Sequence, residues 1–97
     1  MSTIEKLGEG TITVRLPRAL TNLFQGARPV VALPGSTVGE VIDQLDARWP
    51  GMRDRLCDTS PAIRRHINVF VKGKRAALET QLAPGSEVII LTAISGG

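Results

Sequence analysis

The stretch EVIILTAI, Glu87 to Ile94, limits the possible folds more than any other part of the chain. A strand with one wet face alternates polar and apolar residues. This one is apolar on both faces, which marks a central or parallel strand. Period two puts Val88 and Ile90 on one face and Ile89 and Leu91 on the other. If it is central, strands made earlier must flank it, and the expected neighbour is the first strand, lying parallel.

The earlier strands are read from alternation. In TITVRL, Thr11 to Leu16, Ile12, Val14 and Leu16 face one way, and Pro17 ends the run because it has no N–H for a ladder. VVAL, Val30 to Leu33, is closed by Pro34-Gly35, and the short spacing predicts an antiparallel hairpin with a long connecting loop. HINVFVK, His66 to Lys72, alternates again, with Ile67, Val69 and Val71 opposite Asn68 and Phe70. KGKR reads as a turn around Gly73, and Pro84-Gly85 as a second tight turn.

One helix stands out. Thr37 and Glu40 form T-x-x-E, a capping box in which side chains satisfy backbone N–H groups at the helix start. Val38, Val41, Ile42, Leu45 and Trp49 follow as one apolar stripe, and Pro50-Gly51 stops it. Met52 and Leu56, four apart, allow one or two further helical turns before Pro61. The order is β-β-α-(short helix)-β-β, an α+β arrangement with one main helix across one face of a mixed sheet of four to five strands. The helix stripe should bury against Ile12, Val14, Ile67, Val69 and half of the last strand.

A length of 97 residues fits one domain. The aromatics are Phe24, Trp49 and Phe70 only, so the core must be mostly Val, Ile and Leu. A single cysteine, Cys57, excludes an internal disulfide. With no signal peptide visible, the expected setting is reducing and cytoplasmic. No apolar run approaches the ~20 residues of a membrane span. A net charge of +3 is too small to argue for nucleic acid.

The segments TVRLPRAL, GSTVGEVIDQLDARWPG, INVFVKGKR and LAPGSEVIILTAISGG, in that order and with the final Gly-Gly, resemble the ubiquitin-like sulfur carriers. These comprise the small subunit of molybdopterin synthase, the thiamine sulfur carrier and the sulfur carrier of a cysteine synthase, all of β-grasp fold. The resemblance covers roughly Thr11 to Gly97. The insertion before the third strand, WPGMRDRLCDTSPAIRRHINVFVKG, looks most like the carriers serving cysteine synthesis. Residues 1–10 are expected to be a flexible leader, 11–91 the β-grasp body and 92–97 an extended tail.

The resemblance implies a carrier protein with no catalytic residues of its own. An adenylating enzyme related to ubiquitin-activating E1 enzymes would draw the tail into its ATP site. There the Gly97 carboxylate would attack the α-phosphate, and a sulfide or persulfide source would then displace AMP to leave a thiocarboxylate. The carrier would bind no permanent cofactor; ATP and Mg would be used by the activating partner. The sulfur would pass to an accepting enzyme, either cysteine synthase-like or the large subunit of molybdopterin synthase. Gly96, Ser95 and Ile94 would thread the partner's channel, and glycine's lack of Cβ suits a narrow one. The alternatives are a molybdopterin synthase subunit and a ubiquitin-like protein modifier.

The outward pair of the last strand remains to be assigned. Ile89 and Leu91, with Phe70 on a neighbouring strand, would form an apolar docking patch unless a loop covers them. His66 has no second histidine for a metal site, and no metal is expected. Cys57 reads as a structural thiol and Asp43, Asp46 and Asp54 as solvated helix-face residues. Arg53, Arg55, Arg64, Arg65, Lys72, Lys74 and Arg75 make a basic middle section, either simply solvated or steering toward an acidic partner.

Overall fold

The computed structural model describes residues 11–92. The elements in chain order are β1 (Thr11–Arg15), α1 (Arg18–Thr21), β2 (Val30–Pro34), α2 (Val38–Arg48), α3 (Met52–Leu56), β3 (Ile67–Val71), β4 (Lys74–Arg75) and β5 (Glu87–Thr92). They form one five-stranded mixed sheet in the order β2-β1-β5-β3-β4. The doubly apolar β5 is central, as its composition requires. It runs parallel to β1, with Val14 beside Val88, and antiparallel to β3, with Val69 beside Ile90. β5 includes Thr92, which pairs with Ile67 one residue beyond the expected boundary of the body at 91.

One face of the sheet is closed by α2. Val38, Val41, Ile42 and Leu45 are completely buried and share a core with Ile12, Val14, Leu33, Val69, Val88 and Ile90. Each such side chain removed from water contributes about 1.5–3 kcal/mol, which is what holds the helix to the sheet. Met52 and Leu56 extend this core under α3. Gly35 sets the approach of the helix, because a Cβ there would lie 2.8 Å from Val41 Cγ2.

The start of α2 follows from its capping residues. The Glu40 N–H donates to Thr37 Oγ1 (3.1 Å), as the T-x-x-E spacing predicts. The return bond differs: the Glu40 carboxylate accepts from the N–H of Ser36 (2.7 Å), one residue before the cap. The helix end is secured by a residue expected to be only solvated. Asp46 Oδ1 accepts from the N–H groups of Gly51 (3.1 Å) and Arg53 (3.0 Å), tying α2 to the first turn of α3.

Two elements escaped the sequence pattern. The connection after Pro17 contains α1, which buries Leu20. The segment KGKR is a hairpin rather than a turn alone, pairing Phe70 with Arg75 and Val71 with Lys74. Lys72 and Gly73 both take positive φ, 54° and 78°. That two-residue geometry matches the right-handed twist of the flanking strands.

The segment between α3 and β3 is ordered by Asp58. Its Oδ1 accepts from the N–H groups of Ser60 (2.9 Å) and Ala62 (3.0 Å), and from the Ser60 hydroxyl. The hydroxyl bond first, then the backbone bonds, hold this carboxyl below the usual aspartate range. The Arg64 N–H returns to the Leu56 carbonyl (2.8 Å), so the insertion closes on the end of α3.

Candidate docking face

Among the described residues, no helix lies over the sheet face turned away from α2. Strand alternation and register place one row across all five strands: Val30, Arg15, Ile89, Phe70 and Arg75. The row behind it carries Leu91 beside Asn68. Leu91 is 45% exposed and Val30 44%, while Ile89 and Phe70 are partly buried and stand outside the core. The pair left open between the two faces of β5 is thereby assigned. Val88 and Ile90 face the helix, and Ile89 and Leu91 face outward with Phe70, where no helix of the described residues covers them.

The structure brings Phe70, Ile89 and Leu91 together as one apolar strip. It also adds residues that single-strand patterns missed. Val30 lies on the same face, separated from Ile89 by Arg15, and is placed there only through the β1–β2 register. Arg15 and Glu87 form an ion pair from β1 to β5 on the same face. Alternation within β2 separates Val30 from Val31 and Leu33, but only the pairing of Val31 and Leu33 with Val14 and Ile12 shows that Val30 faces outward.

The other candidate site residues, Gly97, Gly96, Ser95 and Ile94, lie outside the described residues, as do residues 1–10 of the expected leader. The described chain stops at Thr92, on the same central strand that carries Ile89 and Leu91. Five residues, 93–97, follow Thr92 in the sequence. Fully extended, they would span about 17 Å.

The remaining candidates are placed plainly. Cys57 is buried, and burial raises its thiol pKa, which keeps it protonated and a poor nucleophile at neutral pH. His66 is exposed just before β3. No group of three or more His, Cys, Asp or Glu among the described residues is arranged to hold a metal. The basic residues are dispersed: Arg53 pairs with Asp43, Arg64 Nε donates to the Asp54 carbonyl (2.8 Å), and Lys72, Lys74 and Arg75 sit at the β3–β4 hairpin. No helix among the described residues is long and apolar enough to cross a membrane.

Comparison with known proteins fits this geometry. The ThiS family model matches residues 14–97. The sulfur carrier protein CysO of Mycobacterium tuberculosis is 35% identical over 92 residues, covering 89% of this chain and 98% of the relative. A chain in the crystal structure of the Amycolatopsis orientalis BexX/CysO complex superposes with a TM-score of 0.78 at 31% identity, covering 89% of this chain and 99% of that one. SAMP1 from Haloferax volcanii superposes with a TM-score of 0.77 at 27% identity, covering 91% of this chain and all, 100%, of that one. These relatives are small ubiquitin-like carriers rather than catalysts, and the solved structures share the β-grasp sheet found here. The chain therefore belongs to the ThiS family of ubiquitin-like sulfur carriers.

Proposed function

We propose that this protein carries sulfur as a thiocarboxylate on Gly97. The carboxylate oxygen attacks the α-phosphate of ATP in an E1-like enzyme, pyrophosphate leaves, and an acyl-adenylate forms. A hydrosulfide equivalent then attacks the acyl carbon and AMP leaves, so the carboxylate exchanges one oxygen for sulfur without net oxidation. An α-carboxylate, with a reference pKa of ~3.3–3.7, is ionised at neutral pH and ready for the first step. Its charge opposes that of ATP, so the partner supplies Mg²⁺ or cationic side chains. The sulfur goes to an accepting enzyme of cysteine biosynthesis, and the body works in the cytoplasm.

The observation that carries this reading is the placement of the apolar strip. Phe70, Ile89 and Leu91 lie beside and on the strand that leads into the Gly-Gly segment. A partner seated on that face would have the tail beginning at its own surface. Similarity to CysO supports the sulfur chemistry, and the BexX/CysO complex supports a partner protein for a carrier of this kind. Gly96, Ser95 and Ile94 thread the partner's channel in this scheme.

A second reading rests on the likeness to small archaeal modifier protein 1 of Haloferax volcanii, 34% identical over 62 residues. There Gly97 would form amide bonds to lysines rather than carry sulfur. A molybdopterin synthase subunit remains a family-level alternative.

Mass spectrometry of the protein from its native host separates the sulfur carrier from the modifier, and co-purification with a large synthase subunit would favour the molybdopterin alternative. Oxygen-to-sulfur exchange at Gly97 is the expected result; isopeptide-linked lysines in its place would overturn it in favour of a modifier. Deleting Gly97 should abolish acyl-adenylate formation with the activating enzyme and leave the unfolding midpoint unchanged. Continued adenylation of the shortened chain would remove Gly97 from the proposal.

A further inference from the structure

The sheet has a second open feature, remote from the tail chemistry. β2 is an outermost strand, and its phase on β1 is set by one bond. The Leu16 N–H donates to the Pro29 carbonyl (2.8 Å), continuing the register in which Arg15 pairs with Val30. Antiparallel ladders alternate bonded and non-bonded pairs. Pro29, Val31 and Leu33 therefore face β1, while Val30, Ala32 and Pro34 direct their backbone groups to the open side. The Thr13 N–H bond to the Ser86 carbonyl (3.0 Å), on the other side of β1, has the complementary phase. Among the described residues nothing pairs with this edge, which thus offers the N–H and C=O of Val30, the N–H and C=O of Ala32, and the C=O of Pro34.

A groove of about 260 Å³ runs along this edge between β2 and the end of α2, with Arg28, Arg48 and Trp49 on its walls. Neither guanidinium has a hydrogen-bond or ion-pair partner among the described residues, and neither does the indole N–H of Trp49. A side chain at Gly26 would begin 3.6 Å from that indole nitrogen, so the glycine leaves it uncovered. The acidic residues late in α2 are already committed: Asp43 pairs with Arg53, and Asp46 caps α3. Unused backbone donors, an unused indole donor and two unused cations therefore share one groove.

We propose that the outer edge of β2 is a docking site, independent of the tail, for an extended acidic segment of a partner protein that adds to the sheet as a sixth strand. Backbone bonds to Val30 and Ala32 would supply the pairing. Carboxylates on alternate residues would meet Arg28, Arg48 and the Trp49 N–H. The charge favours a different protein over a second copy, since two β2 edges brought together would oppose Arg28 and Arg48 with their like. Pro29 and Pro34 bound the edge, so it accepts a short segment and resists open-ended sheet growth.

The test uses the full isotope-labelled chain and a capped heptapeptide alternating Val and Glu, with a Lys-for-Glu peptide as control. The Glu peptide should slow amide exchange at Val30 and Ala32 about tenfold, with far smaller effects at Val31 and Leu33, whose groups already face β1. The double variant Arg28→Glu, Arg48→Glu should lose the Glu peptide about tenfold and gain the Lys peptide. Deleting Gly97 should leave peptide binding unchanged, which separates this site from the carrier reading. Unchanged exchange at Val30 and Ala32 with saturating peptide overturns the proposal. So does equal binding of the Lys peptide, or a footprint on Phe70 and Ile89 instead. Protection of Val30 and Ala32 that rises with protein concentration and needs no peptide would give the edge to a second copy and overturn the partner assignment.

Discussion

On one side of β5, Val88 and Ile90 are sealed beneath α2; on the other, Ile89 is partly buried and Leu91 is 45% exposed. The residue types are nearly the same, and neighbours alternate between the two faces. What differs is the cover. α2 presents Val38, Val41, Ile42 and Leu45 to one face and nothing to the other. Hydrophobicity along the strand thus records that both faces leave water at some time. The inner face does so on folding; the outer face, on our reading, does so on meeting a partner.

The sharpest way to break that contrast is to cut into the inner face. Ile90→Ala removes buried atoms from a packed interior and leaves a cavity that its neighbours fill only in part. A loss of about 2–5 kcal/mol is expected, a large share of the 5–15 kcal/mol of a typical domain. Urea denaturation reads it directly. A loss below about 1 kcal/mol would show that the helix-covered face is not the principal source of stability.

Phe70→Ala probes the opposite face at lower cost to the fold. Phe70 pairs with Ile89 across the strands, an arrangement worth about 0.2–1 kcal/mol relative to small residues. The larger effect should fall on recognition: affinity for the activating enzyme is expected to drop about tenfold, roughly 1.4 kcal/mol. Calorimetric titration with that enzyme and a melting curve give the two numbers. Unchanged affinity combined with a large fall in melting temperature would move Phe70 from the docking face to the core.

The same contrast explains what was legible beforehand. The central position of β5 was readable because the segment is apolar on both faces, its parallel neighbour followed from that position, and the helix stripe was readable because its period lies within one segment. The choice between Ile89/Leu91 and Val88/Ile90 was not, since both pairs have the same local pattern and only the position of α2 separates them. β4 was missed because a two-residue strand has no period to detect. Asp46 looked solvated because the groups that donate to its carboxylate, the N–H groups of Gly51 and Arg53, lie past a proline-marked helix end. Asp58 gave a weak local cue, with Ser60 and Pro61 following, but the bond to Ala62 depends on how the loop closes. The role given to Gly97 came from family resemblance and the chemistry of a terminal carboxylate.

The smallest expected effect sharpens the contrast from the polar side. Arg15 and Glu87 join β1 to β5 on the outer face, with side chains 54% and 42% exposed. Water and salt compete for both ends of such a pair, so it contributes little to stability even though it bridges the two parallel strands. Glu87→Gln preserves size and one hydrogen-bonding oxygen while removing the charge. It should shift stability by less than about 0.5 kcal/mol, and the shift should shrink further in 1 M salt, where screening acts within about 3 Å. Urea midpoints of both proteins at low and high salt measure it. If the loss instead approached that of Ile90→Ala, the outer face would be holding the sheet together as firmly as the core does, and Ile89, Phe70 and Leu91 would have to be read as structural residues before they could be read as a docking strip.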